Sequence, residues 1–184
     1  TQFQLALRGV NYSNSSDNPD PTNRIVTVDG IDTEGHSGAG AQTVIVIQGT
    51  NDAPDALSTI ITGVEDQSQT LAVADFGFSD ATDGGANQLA SVLIETLPAS
   101  GELFLNGVAV TEPIEVSAAD ITAGLLVYRP APDAFGTAVA GFDFRVRDDS
   151  GASDGSDVST TTATVTIDLS GTNDAPVLNV SGSA

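Results

Sequence analysis

Gly49-Thr50-Asn51-Asp52-Ala53-Pro54 recurs letter for letter as Gly171-Thr172-Asn173-Asp174-Ala175-Pro176, a period of 122 residues. A repeat of that length constrains the architecture before any single residue does, because it means the chain is built from equivalent units. Each copy follows an alternating, β-branched run. The first is Thr43-Val44-Ile45-Val46-Ile47-Gln48 and the second Thr164-Val165-Thr166-Ile167-Asp168-Leu169. Such alternation is the mark of a strand with one buried face. Pro then removes a ladder donor and stops the strand. Each copy therefore reads as the exit of a last strand into a linker.

The similarity extends upstream. Leu7-Arg8-Gly9-Val10-Asn11-Tyr12 can be laid over Ala123-Gly124-Leu125-Leu126-Val127-Tyr128. On the same alignment Asn18-Pro19-Asp20 falls near Pro130-Ala131-Pro132-Asp133, and Val28-Asp29-Gly30 near Val146-Arg147-Asp148-Asp149. Residues 1–52 are then the C-terminal half of one repeat, 53–174 a complete repeat, and 175–184 the start of a third. About 50 residues is marginal for an independent core. The half repeat is expected to be covered by strands from upstream in a longer chain or from a neighbouring copy.

The net charge is −20, from 25 acids against 5 Arg, with no Lys. That balance argues against nucleic acid, whose phosphates need a basic face, and against anionic lipid surfaces. No apolar run is long enough to span a membrane as a helix. Self-repulsion of this size destabilises a compact state unless counterions bind, although a merely well-solvated surface gives the same composition. There is no Cys for disulfide staples and no Lys for a Schiff base or P-loop. The single His36 sits in a Gly- and Ser-rich stretch, with no nucleophile at a diagnostic spacing. No enzyme activity is expected.

Period-2 runs give candidate strands at 24–28, 43–48, 57–61, 69–73, 91–97, 102–105, 108–111, 125–128, 141–147 and 160–169. Leu105-Asn106-Gly107-Val108 is a two-residue hairpin signal, because Asn-Gly accepts the positive φ angles of a type I′ turn. Ser117-Ala118-Ala119-Asp120-Ile121 reads as a capped helical turn, with residues 4–8 in the equivalent place. Phe142 and Phe144 alternate with Asp143 and Arg145, as on a strand with one buried face. The spacing of these strands predicts an all-β sandwich.

The linker Gly-Thr-Asn-Asp-Ala-Pro and the run Asp75-Phe76-Gly77-Phe78-Ser79-Asp80 resemble the cadherin-like and VCBS-type repeats of large bacterial adhesins. Tyr128-x-Pro130 followed by Phe142-x-Phe144-x-Val146-x-Asp148 is similar to the related chondroitin-sulfate-proteoglycan type of repeat. Leu7-Arg8-Gly9-Val10-Asn11-Tyr12-Ser13-Asn14 also resembles a segment common in those arrays. The resemblance implies tandem cadherin-like, Ig-like β-sandwich repeats in a secreted protein at the bacterial cell surface. It further implies a role as a structural extender in adhesion or biofilm, with Ca²⁺ rigidifying the junctions. Neighbouring repeats would be the principal partners. A carbohydrate-binding module for surface or matrix glycans is an alternative, as is a fibre subunit completed by strand exchange between copies.

Carried over from that resemblance, the first junction would draw its oxygens from Asp29, Asn51, Asp52, Asp80 and Asp83. The second would use Glu65, Asp66, Asp148, Asp149, Asn173 and Asp174. Oxygen donors in such numbers suit Ca²⁺, which takes six to eight. Each group also has a plainer reading. Asn-Asp before Ala-Pro can close an Asx-type turn. Asp148 and Asp149 can open a solvated loop. Asp32, Glu34, Asp154 and Asp157 are expected to face solvent.

Overall fold

The computed structural model describes residues 11–16, 19–151 and 157–175. Residues 4–8, position 154 and the segment 176–184, including the start of the third repeat, lie outside that description. The chain is all-β, and its core belongs to residues 53–174.

That region carries two principal sheets. The five-stranded sheet orders β10 (Ile114–Ser117), β7 (Leu89–Ile94), β12 (Gly136–Asp148), β13 (Ala163–Ser170) and β4 (Thr59–Val64). All neighbours in it are antiparallel except β13 and β4, which run parallel from Val165↔Thr59 to Ser170↔Val64. The four-stranded sheet orders β5 (Gln69–Thr70), β11 (Leu126–Arg129), β8 (Glu102–Leu105) and β9 (Val108–Ala109). A short ladder joins β3 (Asp55–Leu57) to β6 (Gly77–Ser79).

One apolar cluster unites the two principal sheets. Val92, Ile94, Phe142, Phe144, Val146, Val165 and Ile167 come from the first, and Leu103, Leu126 and Tyr128 from the second. Burial alternates strictly along β13, with Ala163, Val165, Ile167 and Leu169 inward. The Phe142 and Phe144 alternation behaves as its sequence predicts. Phe76, just after a 3₁₀ turn at Val73–Asp75, meets Phe144 edge-on with ring centroids 5.2 Å apart. Tyr128 donates its hydroxyl to the Ser100 carbonyl at 2.9 Å, which satisfies the one polar atom that its buried ring carries inward.

The Asn106-Gly107 hairpin forms as expected. β8 and β9 pair as Leu105↔Val108 and Phe104↔Ala109, with φ of 50° at Asn106 and 77° at Gly107. The helical turn is α1 (Ala118–Thr122); Ser117 caps it by accepting from the Asp120 N–H at 3.0 Å. Several strand expectations change. The run 57–61 is two strands, because the chain crosses from the β6 ladder to the β13 ladder at Ser58. That crossing is pinned by the Thr164 N–H donating to Ser58 Oγ at 3.0 Å. The run 69–73 shortens to β5, while β6 and β10 lie outside every expected span.

The chain before the first linker contributes a separate hairpin, β1 (Arg24–Val28) with β2 (Ala41–Ile45), in register Ile25↔Val44 and Val26↔Thr43. It is the counterpart of β12 and β13. Adding the 122-residue period takes Ile45 to Ile167 and Ala41 to Ala163. Ladder pairing then matches Val26 with Phe142 and Val28 with Phe144. Both hairpins end in an isolated bridge, Ile31↔Ser37 in one and Arg147↔Val158 in the other. The alignment of Asp29 with Arg147 and Asp148 is therefore two to three residues out of step. The residue equivalent to Asp148 is Asp32. Each of these two accepts a backbone N–H two residues on, Glu34 for Asp32 and Ser150 for Asp148, both at 2.9 Å.

Candidate metal centres

The linkers lie at opposite ends of residues 53–174, and acidic side chains gather at each. Strand direction decides which acids go where. β4 and β13 run together toward the second linker. β12 is antiparallel to β13, so its C-terminal residue, Asp148, is delivered to the first.

At the first linker, Asn51 donates from Nδ2 to Asp148 Oδ2 at 3.2 Å. Asn51 Oδ1 accepts from Asn87 Nδ2 at 2.6 Å. The Asp52 N–H donates to Asp83 Oδ2 at 3.0 Å, and Asn87 reaches the same oxygen at 3.3 Å. Asp149 accepts from the Gln88 N–H at 2.9 Å. Beneath these groups lies Asp80, only 6% exposed; the Asn87 amide and the Asp83 N–H are the donors nearest its carboxylate, neither of them in full hydrogen-bond geometry. Burial raises its pKa above the ordinary 3.8, and the charges of Asp83 and Asp148 add to the effect. A buried carboxylate beside two others is costly unless a cation or donor answers it. Pro19 and Pro21 close one side, and with Gly49, Asn51, Asp83 and Asn87 they line a shallow cleft of about 370 Å³.

At the second linker, Glu65 is 2% exposed. Its Oε1 accepts the Thr172 N–H and also the Thr172 hydroxyl at 3.3 Å, while its Oε2 is buried without a partner. Carboxylate oxygens of Asp66, Asp133 and Asp174 lie within 4.8 Å of one another nearby, all three exposed. Asp66 and Asp133 occupy left-handed backbone, with φ of 61° and 57°. The Asp133 N–H donates to Asp66 Oδ1 at 3.2 Å. The Asp174 carboxyl is held above its ordinary pKa of 3.8, first by desolvation and then by the charges of Glu65, Asp133 and Asp66.

Two assignments made by motif therefore move. Asp148 and Asp149 stand at the first linker rather than the second. Asp29 joins neither, because it sits at the opposite end of the β1–β2 hairpin from Gly49, alongside Gly40. Asn173 repeats the local bond of Asn51, each donating from Nδ2 to the carbonyl of the following Asp, at 3.4 Å and 3.0 Å. Asn87 and Asp133 were not among the expected ligands. The first carries no charge, and the second lies in a Pro-rich loop whose path toward Asp66 is a tertiary fact.

The donors are carboxylates, amides and carbonyls, with no His or Cys in either group. That set suits a hard cation such as Ca²⁺ and not zinc. The orphaned oxygens of Asp80 and Glu65 are what such an ion would satisfy.

No known protein-family model matches this chain. A comparison with curated proteins finds no significant relative.

Proposed function

We propose that residues 53–174 form a cadherin-like structural repeat of a secreted bacterial surface protein, whose junctions Ca²⁺ braces for adhesion or filament extension. One observation carries this reading. Each copy of the repeated Asn-Asp linker meets a carboxylate cluster that includes a buried carboxylate with an unpartnered oxygen. At the first linker the cluster draws on the linker (Asn51, Asp52), the loop after β6 (Asp80, Asp83, Asn87) and the end of β12 (Asp148). A cation there would tie the linker to two loops of the repeat that follows it. The angle between units would then depend on the ion, and a flexible string would become a rod. The charge of −20 supports the same reading, since bound divalent ions would relieve much of the self-repulsion.

The test is small-angle scattering of the chain with Ca²⁺ and with a chelator, paired with calorimetric titration. The reading expects saturable Ca²⁺ uptake and a more extended, less variable particle when loaded. Absence of Ca²⁺ uptake at millimolar concentration would reject it.

A further inference from the structure

The second linker offers more than a place for an ion. The carboxylates gathered there, from Asp66, Asp133 and Asp174, are all exposed. Glu65 stands beside them, buried, and its Oε2 has no hydrogen-bond partner among the described residues. Ca²⁺ takes six to eight oxygens. With one oxygen apiece these side chains fall short of that number, and the shortfall opens to solvent because the aspartates do. An ion held this way keeps positions for oxygens that a ligand brings.

Phe135 follows Asp133 on the same loop and is 64% exposed, more than any other described aromatic residue. Its ring lies against the linker. A Cβ on Gly171 would stand 3.3 Å from the ring and 3.5 Å from Glu65 Oε1, so ring and carboxylate flank one point. Next to Phe135 begins an open groove of about 660 Å³, lined by Gln67, Ser68, Gln69, Thr137, Asp168 and Ser170 among others. The position stays accessible where the chain runs on past a linker. Since Val26 matches Phe142, Pro19 matches Phe135; it lies against Gly49 as Phe135 does against Gly171, and it lines an open cleft. We propose that the second linker binds a neutral pyranose through Ca²⁺, a proposal that rests on reading this cluster as a Ca²⁺ site. Two adjacent sugar hydroxyls complete the ion's coordination, the C–H face of the ring lies on Phe135, and the remaining hydroxyls meet the groove. A flat aromatic face beside walls of amides and hydroxyls, which both donate and accept, suits a ring with one apolar face and an edge of hydroxyls. The net charge of −20 disfavours anionic sugars.

Calorimetric titration of the full chain with Ca²⁺ alone comes first; no uptake would reject the ion site and this proposal with it. Saturation-transfer NMR of the Ca²⁺-loaded chain then uses the methyl glycosides of mannose, fucose and galactose, each of which carries adjacent hydroxyls. The expected result is binding of at least one of them with a Kd on the order of millimolar, the scale for so small a ligand, and its loss in chelator. Phe135→Ala changes an exposed side chain. It should leave the Ca²⁺ isotherm unchanged and weaken the sugar about fivefold or more. Asp133→Asn should lose both the ion at this linker and the sugar, with the thermal midpoint in chelator kept. Ca²⁺ uptake with none of the three glycosides bound would overturn the proposal while leaving the ion site standing. So would equal sugar binding in chelator, or sugar affinity unchanged in Phe135→Ala.

Discussion

Asn51 of the linker donates to the carboxylate of Asp148, 97 residues further along the chain, at 3.2 Å. This bond joins the first linker to the end of β12, the longest of the described strands. Ser150 answers the other oxygen of Asp148 through its N–H and its hydroxyl, so the linker amide completes the carboxylate's donors. A cation bound at such a place would stiffen the junction without rebuilding the chain on either side, which is what the proposed function requires.

Asp52→Ala is the direct test of the linker's role. Asp52 donates its backbone N–H to Asp83, and that bond survives the substitution. What is lost is the side-chain oxygen. The expected wild-type affinity for Ca²⁺ is on the order of 10⁻⁴ to 10⁻³ M, typical of extracellular modules. The variant should bind about tenfold more weakly. Its thermal midpoint in chelator should match the wild type, and the inter-repeat angle should vary more in Ca²⁺. Identical calorimetric isotherms for the two proteins would remove Asp52 from the site.

Asp80→Asn should reverse sign with conditions. The Asp80 carboxylate is buried with no donor in full hydrogen-bond geometry, and burial raises its pKa. The ionised form therefore destabilises the metal-free fold. An amide of the same shape removes that charge, keeps one acceptor oxygen and puts an NH₂ donor in place of the other. Without Ca²⁺ the variant should be more stable by roughly 1 kcal/mol. In saturating Ca²⁺ it should be less stable than the wild type, because a ligand stabilises only the state that binds it. Chemical denaturation in chelator and in Ca²⁺ gives both values. A variant equally destabilised in the two conditions would mean that Asp80 is only a packing element.

Much of the scaffold was readable because it rests on local rules. Alternating burial along β13 and the positive φ at Asn106 and Gly107 follow from periodicity and turn chemistry alone. The strands β6 and β10 escaped because Gly77-Phe78-Ser79 and Ile114-Glu115-Val116-Ser117 are too short to show a period. The site was half readable. Sequence placed Glu65, Asp66 and Asp174 together, and likewise Asn51, Asp52, Asp80 and Asp83. The family motif assigns Asp148 to the second linker, whereas strand direction carries it to the first, beside Asn51. β12 and β13 are antiparallel, so a residue ending β12 must lie far from the residue that ends β13. The same parity places Asp29 away from Asn51. Asp133 needed the left-handed turns at both Asp66 and Asp133, which no spacing rule anticipates.

The outer face of the five-stranded sheet makes a pH-dependent contribution. Glu115 accepts from Ser91 Oγ at 2.5 Å and from Arg147 Nε at 2.9 Å. The Ser91 hydrogen bond, followed by Arg147, holds its pKa below the ordinary 4.5. For a carboxyl depressed in the folded state, the stabilisation is complete above the unfolded value and is lost as pH falls through the folded one. Ser91→Ala removes the larger cause. At neutral pH the variant's thermal midpoint should lie about 2 °C lower, since a solvent-screened contact contributes less than ~1 kcal/mol. The difference should close as the solution is acidified below the ordinary Glu value of 4.5. A difference that stays constant to strongly acidic pH would assign it to packing of the serine instead.

Gly101→Ala should be among the most damaging single changes away from the linkers. Gly101 has φ of 75°, a region in which alanine is strained. A Cβ there would stand 2.5 Å from the Arg129 carbonyl oxygen and 2.6 Å from the Tyr128 hydroxyl. The first neighbour is backbone in the β8–β11 ladder, so it cannot yield without breaking the Arg129↔Glu102 pair. The second is the hydroxyl that satisfies the Ser100 carbonyl. Backbone strain, overpacking and a lost buried hydrogen bond act together here, so the expected cost is roughly 3–4 kcal/mol. Gly107→Ala serves as the comparison. Its φ of 77° carries similar strain, but a Cβ there meets nothing within 4 Å. Urea unfolding of both variants separates the two contributions. Equal losses at Gly101 and Gly107 would show that φ alone sets the cost and that the close approach to Tyr128 contributes nothing.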